Sequence, residues 1–349
     1  MSTTLTSADR RVIAIAVLLS AISLAVGVKY FSHAFPEAAI EFRVNRDDST
    51  PMAREFLAKR GWSVEGYRHA AVFDYDDDAK VYLERTQGLG RMNTLTRGPV
   101  RLWRWSHRWF RPQQKEEFRV DVSPAGEVVG FDHDLPESAP GANLDAARAR
   151  AIAEKFLVEV MRFDLGNLEF VETQTQKRPA RTDHSFTWKR KNVELGEGSL
   201  RLEVEVDGDQ VAGYREFIKV PEGWTRGYEN LRSRNISAQE VDEVFWILLC
   251  VAALVILIQR LRDRDVPIRL ASGFAAVASL LYFLGQLNTF SLAEFGYRTT
   301  DPYSSFVSSY VRQPAGRAGA GGSHLPAAGQ LGARLSRSLP EFPLHPPLL

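Results

Sequence analysis

The sequence predicts an α+β protein in which two helix-plus-antiparallel-sheet units lie between transmembrane α-helices. Three observations predict this fold class. The chain has 349 residues, and three long uncharged apolar runs stand out although the overall hydrophobic content is an ordinary 44%. About two hundred residues between the first two runs have the composition of globular domains. Within that section, one helix pattern and one hairpin pattern each occur twice, which predicts a repeated unit.

The charge balance and cysteine content exclude several classes of protein. Lys and Arg number 44 against 43 Asp and Glu, so the chain lacks the basic surplus of a nucleic-acid-binding protein. The single cysteine excludes a disulfide framework and a cysteine-based zinc site. The apolar runs instead predict the lipid bilayer as a partner.

The first apolar run lies near the N-terminus. We expect residues 1–11 to be a cytoplasmic N-terminus and residues 12–31 to be the first transmembrane helix. The uncharged part, residues 12–28, has 17 residues and covers about 26 Å. This is short for a hydrocarbon layer of roughly 30 Å, but the Lys29 side chain can extend to the interface. Cleavage of this run as a signal peptide after Ala34 is the alternative, although such apolar segments are usually shorter. In both cases the section that follows is exported.

Two further apolar runs follow the globular section. The second predicted transmembrane helix covers residues 241–259 and the third covers residues 270–292. Ser237 and Glu240 have the spacing of a capping box, which predicts that the second helix begins just outside the membrane.

The positions of the arginines predict the topology. The connection between the second and third helices, residues 260–269, contains four arginines, which predicts a cytoplasmic loop. Arg10 and Arg11 place the N-terminus on the same side, so both clusters agree. We therefore expect a multi-pass protein of the cell (inner) membrane whose main domain and residues 293–311 are extracytoplasmic.

The globular section contains the repeat. The first unit is predicted over residues 36–138 and the second over residues 139–236. In each unit the pattern Ala-x-x-Phe-Leu, at residues 53–57 and 153–157, gives an apolar stripe at helical spacing. The residues predicted to open these helices are Thr50 with Pro51 in the first unit and Asn143 with Asp145 in the second.

A hairpin pattern completes each unit. Residues 118–131 and 202–214 both read as an alternating Val-x-Val strand, a turn with glycine, and a second strand that ends in Gly-aromatic. The helix followed by this hairpin resembles the PepSY-type module, a small exported α+β domain often attached to peptidases or membrane proteins. Two such units with flanking helices resemble the N-terminal half of polytopic proteins of the CPBP (CAAX-protease and bacteriocin-processing) intramembrane peptidase family.

The CPBP resemblance implies no catalytic residue in this chain. That family carries its chemistry in later membrane helices, on paired histidines and a Glu-Glu-x-x-x-Arg motif. Here Glu116-Glu117 is followed by Asp121 where the motif requires arginine, and it lies in a predicted exported strand.

One segment is rich in Trp and Arg. Trp103, Arg104, Trp105 and Trp109 form a candidate ligand surface for a peptide, a glycan or a lipid headgroup, because Trp stacks on flat groups and Arg pairs with anions. The alternative is a strand that packs its tryptophans on one side and covers their edges with arginines.

No motif predicts a catalytic centre, a cofactor or a metal ion. The chain has no His-Glu-x-x-His, no P-loop and no Gly-x-Ser-x-Gly elbow, and its seven histidines are scattered. The acidic run of residues 74–78 starts like an EF-hand loop, but Ala79 and Arg85 replace the required Gly and Glu. We expect this run to end a strand and cap the helix that begins near Ala79.

Residues 312–349 are rich in Gly, Pro, Ala and Arg and lack periodicity, which predicts a disordered tail. A shifted reading frame near Val311 is the alternative explanation of that composition. The sequence as a whole predicts a truncated, membrane-anchored binding or inhibitory protein with an extracytoplasmic peptide or a membrane peptidase as partner. The alternatives are part of a CPBP-type intramembrane peptidase and a transmembrane sensor.

Overall fold

Eight antiparallel strands form one continuous sheet in the computed structural model, which describes residues 6–263 and 266–312. The strand order across the sheet is β1-β2-β3-β4-β8-β7-β6-β5. The strands are β1 (Arg68–Tyr75), β2 (Trp103–Phe110), β3 (Glu117–Val122), β4 (Val128–Asp134), β5 (Leu168–Lys177), β6 (Thr182–Arg190), β7 (Ser199–Asp207) and β8 (Gln210–Lys219).

The helices of the described part fall into two groups. Three of them, α2, α3 and α4, pack on one face of the sheet, whereas the end of α6 and the start of α7 contact β1 and β2. The helices are α1 (Ser7–Ala34), α2 (Arg46–Lys59), α3 (Asp77–Arg97), α4 (Ala146–Glu159), α5 (Glu222–Arg262), α6 (Ile268–Phe295) and α7 (Tyr303–Arg312), with short 3-10 helices at Pro36–Ala39 and Leu165–Asn167.

Three helices are long and apolar enough to cross a membrane. The candidate spans are Ser7–Phe31 in α1, Val244–Arg262 in α5, and Ile268–Phe295, which is α6. Their large apolar side chains are exposed in the isolated chain, as a lipid-facing surface requires. The three predicted membrane helices are confirmed to this extent, while the side on which the sheet lies stays a prediction.

The two predicted repeats share one sheet. In each half a helix precedes four antiparallel strands, α2 before β1–β4 and α4 before β5–β8, and the first half also contains α3. The halves join edge to edge where β4 pairs with β8. Both predicted hairpins are present, as β3–β4 and β7–β8. The fold is therefore α+β with an eight-stranded antiparallel sheet.

A single core connects the two repeats. The helix positions with the predicted apolar stripe, Ala53 and Leu57 in α2 and Ala153 and Leu157 in α4, are all fully buried in one cluster. Side chains of the seven strands β2 to β8 complete this cluster. A second cluster forms where α3 packs on the strand ends near Trp103.

Two predicted helix starts are wrong. Helix α2 begins earlier, because the Asn45 side chain accepts hydrogen bonds from the amides of Asp47 and Asp48, and Thr50 lies inside the helix with Pro51 in its second turn.

Helix α5 begins at Glu222, directly after β8, so residue 237 is in its interior and the second predicted unit ends in helix rather than in loop. Trp224 packs edge-on against Tyr82 of α3, and this contact holds the start of the helix against the domain.

Other sequence predictions are confirmed. Asp145 caps α4 by accepting from the amide of Arg148. Asp76 follows β1 and caps α3 by accepting from the amide of Ala79. The predicted tail lies outside the described residues beyond Arg312, which ends α7.

Candidate functional site

The two faces of the sheet differ in what covers them. Alternation along β3 directs Phe118 and Val120 to the helices, and Glu117, Arg119 and Asp121 to the other face. We call this other side the open face. Among the described residues, the end of α6 and the start of α7 pack on the open face at its β1–β2 side, through Phe295, Tyr297 and Phe306.

The open face is acidic at its centre. Its charged side chains on β3, β4, β7 and β8 comprise seven carboxylates and four cations, by count from the sequence and the strand alternation. The carboxylates are Glu117, Asp121, Asp132, Asp134, Glu203, Glu205 and Asp207, and the cations are Arg119, Arg201, Arg215 and Lys219.

Two of these carboxylates flank a glycine. Gly213 on β8 pairs with Asp132 of β4 on one side and with Glu205 of β7 on the other. The Glu205 carboxylate folds over the glycine, since its Oε2 lies 3.3 Å from the point where a Cβ of residue 213 would be. Neither Asp132 nor Glu205 has a hydrogen-bond or ion-pair partner within the described residues.

The environment of this pair disfavours negative charge. Burial, together with the charges of Asp134 and Glu117, raises the pKa of Asp132 to about 7 despite the nearby Arg119. Glu205 is exposed as a residue, but its carboxylate folds back over Gly213 of the adjacent strand. This partial loss of water and the charge of Asp132 raise its pKa to about 8.

The β3–β4 hairpin repeats this arrangement of an acid over a glycine, but its acid has partners. The Asp121 carboxylate lies over Gly130, which leaves 3.1 Å between its Oδ2 and the Cβ position of that glycine. Here the acid is paired, because Ser106 donates a hydrogen bond of 2.5 Å and Arg104 lies at 3.4 Å. In both hairpins the residue before the aromatic side chain is a glycine, because an acid of the adjacent strand occupies the space where a Cβ would be.

The sequence contained a signal for this pair. Each hairpin has an acid between the two valines of Val-x-Val and a glycine before the aromatic residue, and the register places the acid opposite that glycine. The sequence analysis used these residues only to predict strands. Asp132 carried no signal of its own, because its neighbour Gly213 belongs to the other half of the chain.

The predicted Trp and Arg ligand surface lies on β2 and is divided between the two faces. Trp103 and Trp109 are buried under the helices, and the indole N–H of the half-buried Trp105 donates to the Val44 carbonyl at 3.0 Å. Arg104 points to the open face, where it bonds Asp74 at 2.7 Å. The ligand surface stays a prediction, with Trp105 as its accessible aromatic ring.

Two scattered histidines form a chain that the sequence did not indicate. His69 Nε2 lies 3.1 Å from His107 Nδ1, and His107 Nε2 lies 2.9 Å from Ser49 Oγ. The Ser49 hydroxyl donates to the Arg46 carbonyl, so His107 must donate to the serine and accept from His69. A serine nucleophile needs a histidine that accepts its proton, whereas in this arrangement the histidine donates to Ser49.

Both histidines are held neutral. Burial and the nearby Arg54 and Arg46 lower the pKa of His69 to about 4, and burial and the adjacent His69 lower the pKa of His107 to about 3. No cluster of three or more metal-ligating side chains occurs in residues 6–263 and 266–312.

Comparison with known proteins adds little to this geometry. No family model matches the sequence, and no curated protein matches it. Among solved structures, the chain is similar to the C-terminal domain of YpeB from Bacillus megaterium, with 16% identity and a TM-score of 0.28. The match covers 49% of this chain and 62% of that one, so it spans less than two thirds of the YpeB domain. The CPBP resemblance has no support from these comparisons.

Proposed function

We propose that this protein is a membrane-anchored, non-catalytic binding module built from two PepSY-like repeats, and that its open face binds a cationic polypeptide segment. One observation carries the proposal. The centre of an uncovered sheet face holds two carboxylates, Asp132 and Glu205, which have no partner in the described part of the chain. A Lys or Arg side chain laid over Gly213 would bond both.

The electrostatics support a cationic ligand. Burial and neighbouring negative charges raise the pKa values of both carboxylates. A raised pKa means that the folded protein pays free energy to keep these groups charged. A bound cation removes that cost and forms charge-assisted hydrogen bonds, each worth about 1.5–3 kcal/mol. Sites that retain such a cost are typical of binding surfaces rather than of structural ones.

The test is a binding titration with the full chain in detergent. We expect a Lys-rich extended peptide to bind and a Glu-rich peptide of the same length not to bind. The double variant Asp132→Asn with Glu205→Gln should bind about tenfold more weakly, because it loses the charge-assisted bonds. Raising the salt concentration should weaken binding to the natural sequence more than binding to the variant.

A matched variant controls for net charge. Glu55→Gln with Glu159→Gln also removes two negative charges, but from exposed ion pairs on α2 and α4. It should bind like the natural sequence. Equal weakening in both double variants would contradict the proposed site, and hydrolysis of the peptide by the pure chain would contradict the non-catalytic function.

A transmembrane sensor is the second candidate, because the sheet is bonded to a membrane helix. Buried Arg108 of β2 donates to the carbonyls of Phe295 and Tyr297, both at 2.7 Å, at the end of α6. A ligand on the sheet could therefore move α6 and the arginine loop at residues 260–269. A cytoplasmic partner that binds this loop only when peptide is present would favour the sensor.

An intramembrane peptidase component has less support. Such an enzyme needs polar catalytic groups within the bilayer. In α5 and α6 the polar residues Gln259, Gln286 and Asn288 lie near the ends of the apolar segments.

A further inference from the structure

A small polar cavity lies where α2, the edge strand β1 and the end of α6 meet. Its volume is about 220 Å³. Its polar lining residues are Arg46, Asp47, Thr50, His69, Ser291 and Glu294. None of them belongs to the open face that we propose for peptide binding.

The length of α6 puts the cavity at the depth expected for lipid headgroups. A hydrocarbon layer of roughly 30 Å takes about 20 helical residues, so α6 leaves it near Phe290 when counted from Leu270, the first residue after the arginine loop. Aromatic side chains surround that level, as Phe290 contacts Phe306 and Tyr310 of α7. Aromatic belts of this kind mark the membrane interface. Ser291 and Glu294 are the next turn of α6 beyond this level.

The lining carries both signs of charge. Arg46, whose side chain is half exposed, lies on one wall, where its Nε pairs with the Asp47 carboxylate at 3.4 Å and its two terminal nitrogens have no bond to a described residue. Glu294 lies on another, 12% exposed, and its Oε1 accepts from Arg68 at 2.8 Å and from Tyr303 at 2.7 Å. No described residue bonds its second oxygen, Oε2.

The remaining polar groups can accept hydrogen bonds. His69 donates through Nε2 to His107, so its Nδ1 has a lone pair that no described residue uses. The Thr50 hydroxyl donates to the Arg46 carbonyl at 3.0 Å and can still accept. A ligand here needs one anionic group for Arg46 and one group with several N–H donors.

We infer that this cavity binds the headgroup of an aminophospholipid such as phosphatidylethanolamine. The ammonium donates to Glu294 Oε2, His69 Nδ1 and a hydroxyl, and the phosphate pairs with Arg46. The acyl chains then run along α6, where Leu284 and Leu287 are exposed. A choline headgroup has no N–H donors, and a glycerol headgroup has no cation, so both bind more weakly.

The test uses native mass spectrometry of the full chain in mixed micelles. We expect one phosphatidylethanolamine to stay bound per chain, and about tenfold less phosphatidylcholine or phosphatidylglycerol, as the loss of a charge-assisted bond predicts. Millimolar phosphoethanolamine should displace the lipid better than phosphocholine. Equal retention of the three lipids, or equal displacement by the two soluble headgroups, would overturn the inference.

Variants locate the site. Ser291→Leu fills the cavity and should abolish retention, whereas Ser272→Leu, the same change at an exposed position of α6, should not. Arg46→Gln should weaken retention about tenfold, and Arg43→Gln, at an exposed position just before α2, should have no effect. Because Arg46 is on the surface, its replacement leaves the fold intact even if the leucine at position 291 does not. Unchanged retention in Arg46→Gln would place the lipid elsewhere.

Discussion

Gly130 and Gly213 show how single residues shape the open face. Both lie beneath an acid of the adjacent strand, but only one of the two acids is held by other side chains. Asp121 is fixed by Ser106 and Arg104, whereas Glu205 is exposed and has no partner in the described chain. The same sequence pattern therefore produces one structural pair and one available carboxylate.

This difference predicts unequal effects of alanine. In Gly130→Ala the new Cβ meets fixed Asp121 at 3.1 Å and the Tyr214 carbonyl at 3.3 Å, so we expect a loss of about 1–2 kcal/mol in the free energy of unfolding. In Gly213→Ala the new Cβ meets the Cβ and the Oε2 of Glu205, both at 3.3 Å, and only the carboxylate can turn away. Because a glycine inside a strand itself costs about 0.5–1 kcal/mol relative to alanine, we expect a smaller loss than in Gly130→Ala, below about 1 kcal/mol. Thermal unfolding in one detergent measures both, and equal losses would contradict the assignment.

The carboxylate pair also predicts a pH dependence. Asp132 and Glu205 have folded-state pKa values of about 7 and about 8, above the usual values for unfolded carboxylates. The folded state therefore binds more protons between about pH 4 and pH 8, and these groups lower stability as the pH rises through that range. Asp132→Asn with Glu205→Gln removes this loss.

We expect the double variant to melt at least about 2 °C above the natural sequence at pH 8 and at the same temperature at pH 4. His69 and His107 act in the opposite direction, because their low pKa values cost stability as the pH falls below about 6.5. Both proteins contain these histidines, so their contribution cancels when the two melting temperatures are subtracted. A difference that does not grow with pH would contradict the raised pKa values.

At the scale of elements, local patterns were predictable and long-range contacts were not. The sequence predicts both hairpins and the Asp145 cap, because turn and cap chemistry act within a few residues. It misplaces the start of α2, since Asn45 and Thr50 both suit a cap and it is the Asn45 side chain that bonds the first amides of the helix. It also misses the early start of α5 at Glu222, which depends on a contact with α3.

The contact between α6 and the sheet was the least predictable. Arg108 lies in a segment that the sequence analysis examined as a ligand surface, yet it is buried between Glu117 and the backbone of residues 295–297. Its backbone partners at residues 295 and 297 are almost two hundred residues away in the chain. No local pattern indicates such a contact.

Arg108→Met tests whether this contact attaches residues 295–297 to the sheet. Without the guanidinium group, two backbone carbonyls and part of Glu117 lose their partner in a buried site, so we expect a loss of about 3 kcal/mol or more. Hydrogen exchange of residues 295–303 should rise by at least about tenfold, because that segment detaches from β2.

The exposed Arg298 provides the matched control, since Arg298→Met removes a charge from the same region without a buried partner. Its exchange should resemble that of the natural sequence. If Arg108→Met also leaves the exchange of residues 295–303 unchanged, the sheet and the third membrane helix are not coupled through this arginine, and the sensor candidate loses its supporting observation.

At the scale of the whole molecule, the two repeats share one sheet and one core, which predicts that they unfold together. The sequence predicts a repeat but leaves open whether its copies form one domain. The β4–β8 junction contains three residue pairs, Gly130 with Arg215, Phe131 with Tyr214 and Asp132 with Gly213. Helices α2 and α4 also bury their apolar stripes in the same cluster. The proposed binding site lies across this junction, so it exists only when both halves are folded.

Leu57→Ala in α2 and Leu157→Ala in α4 test this unity. Both side chains are fully buried in the shared cluster, and each change should cost about 2–5 kcal/mol. If the sheet is one unit, either variant lowers the protection of β3–β4 and of β7–β8 amides by the same free energy in hydrogen exchange. Val158→Ala, at an adjacent exposed position of α4, should change neither. Independent repeats would give the opposite result, because Leu157→Ala would then expose β7–β8 and leave β3–β4 protected.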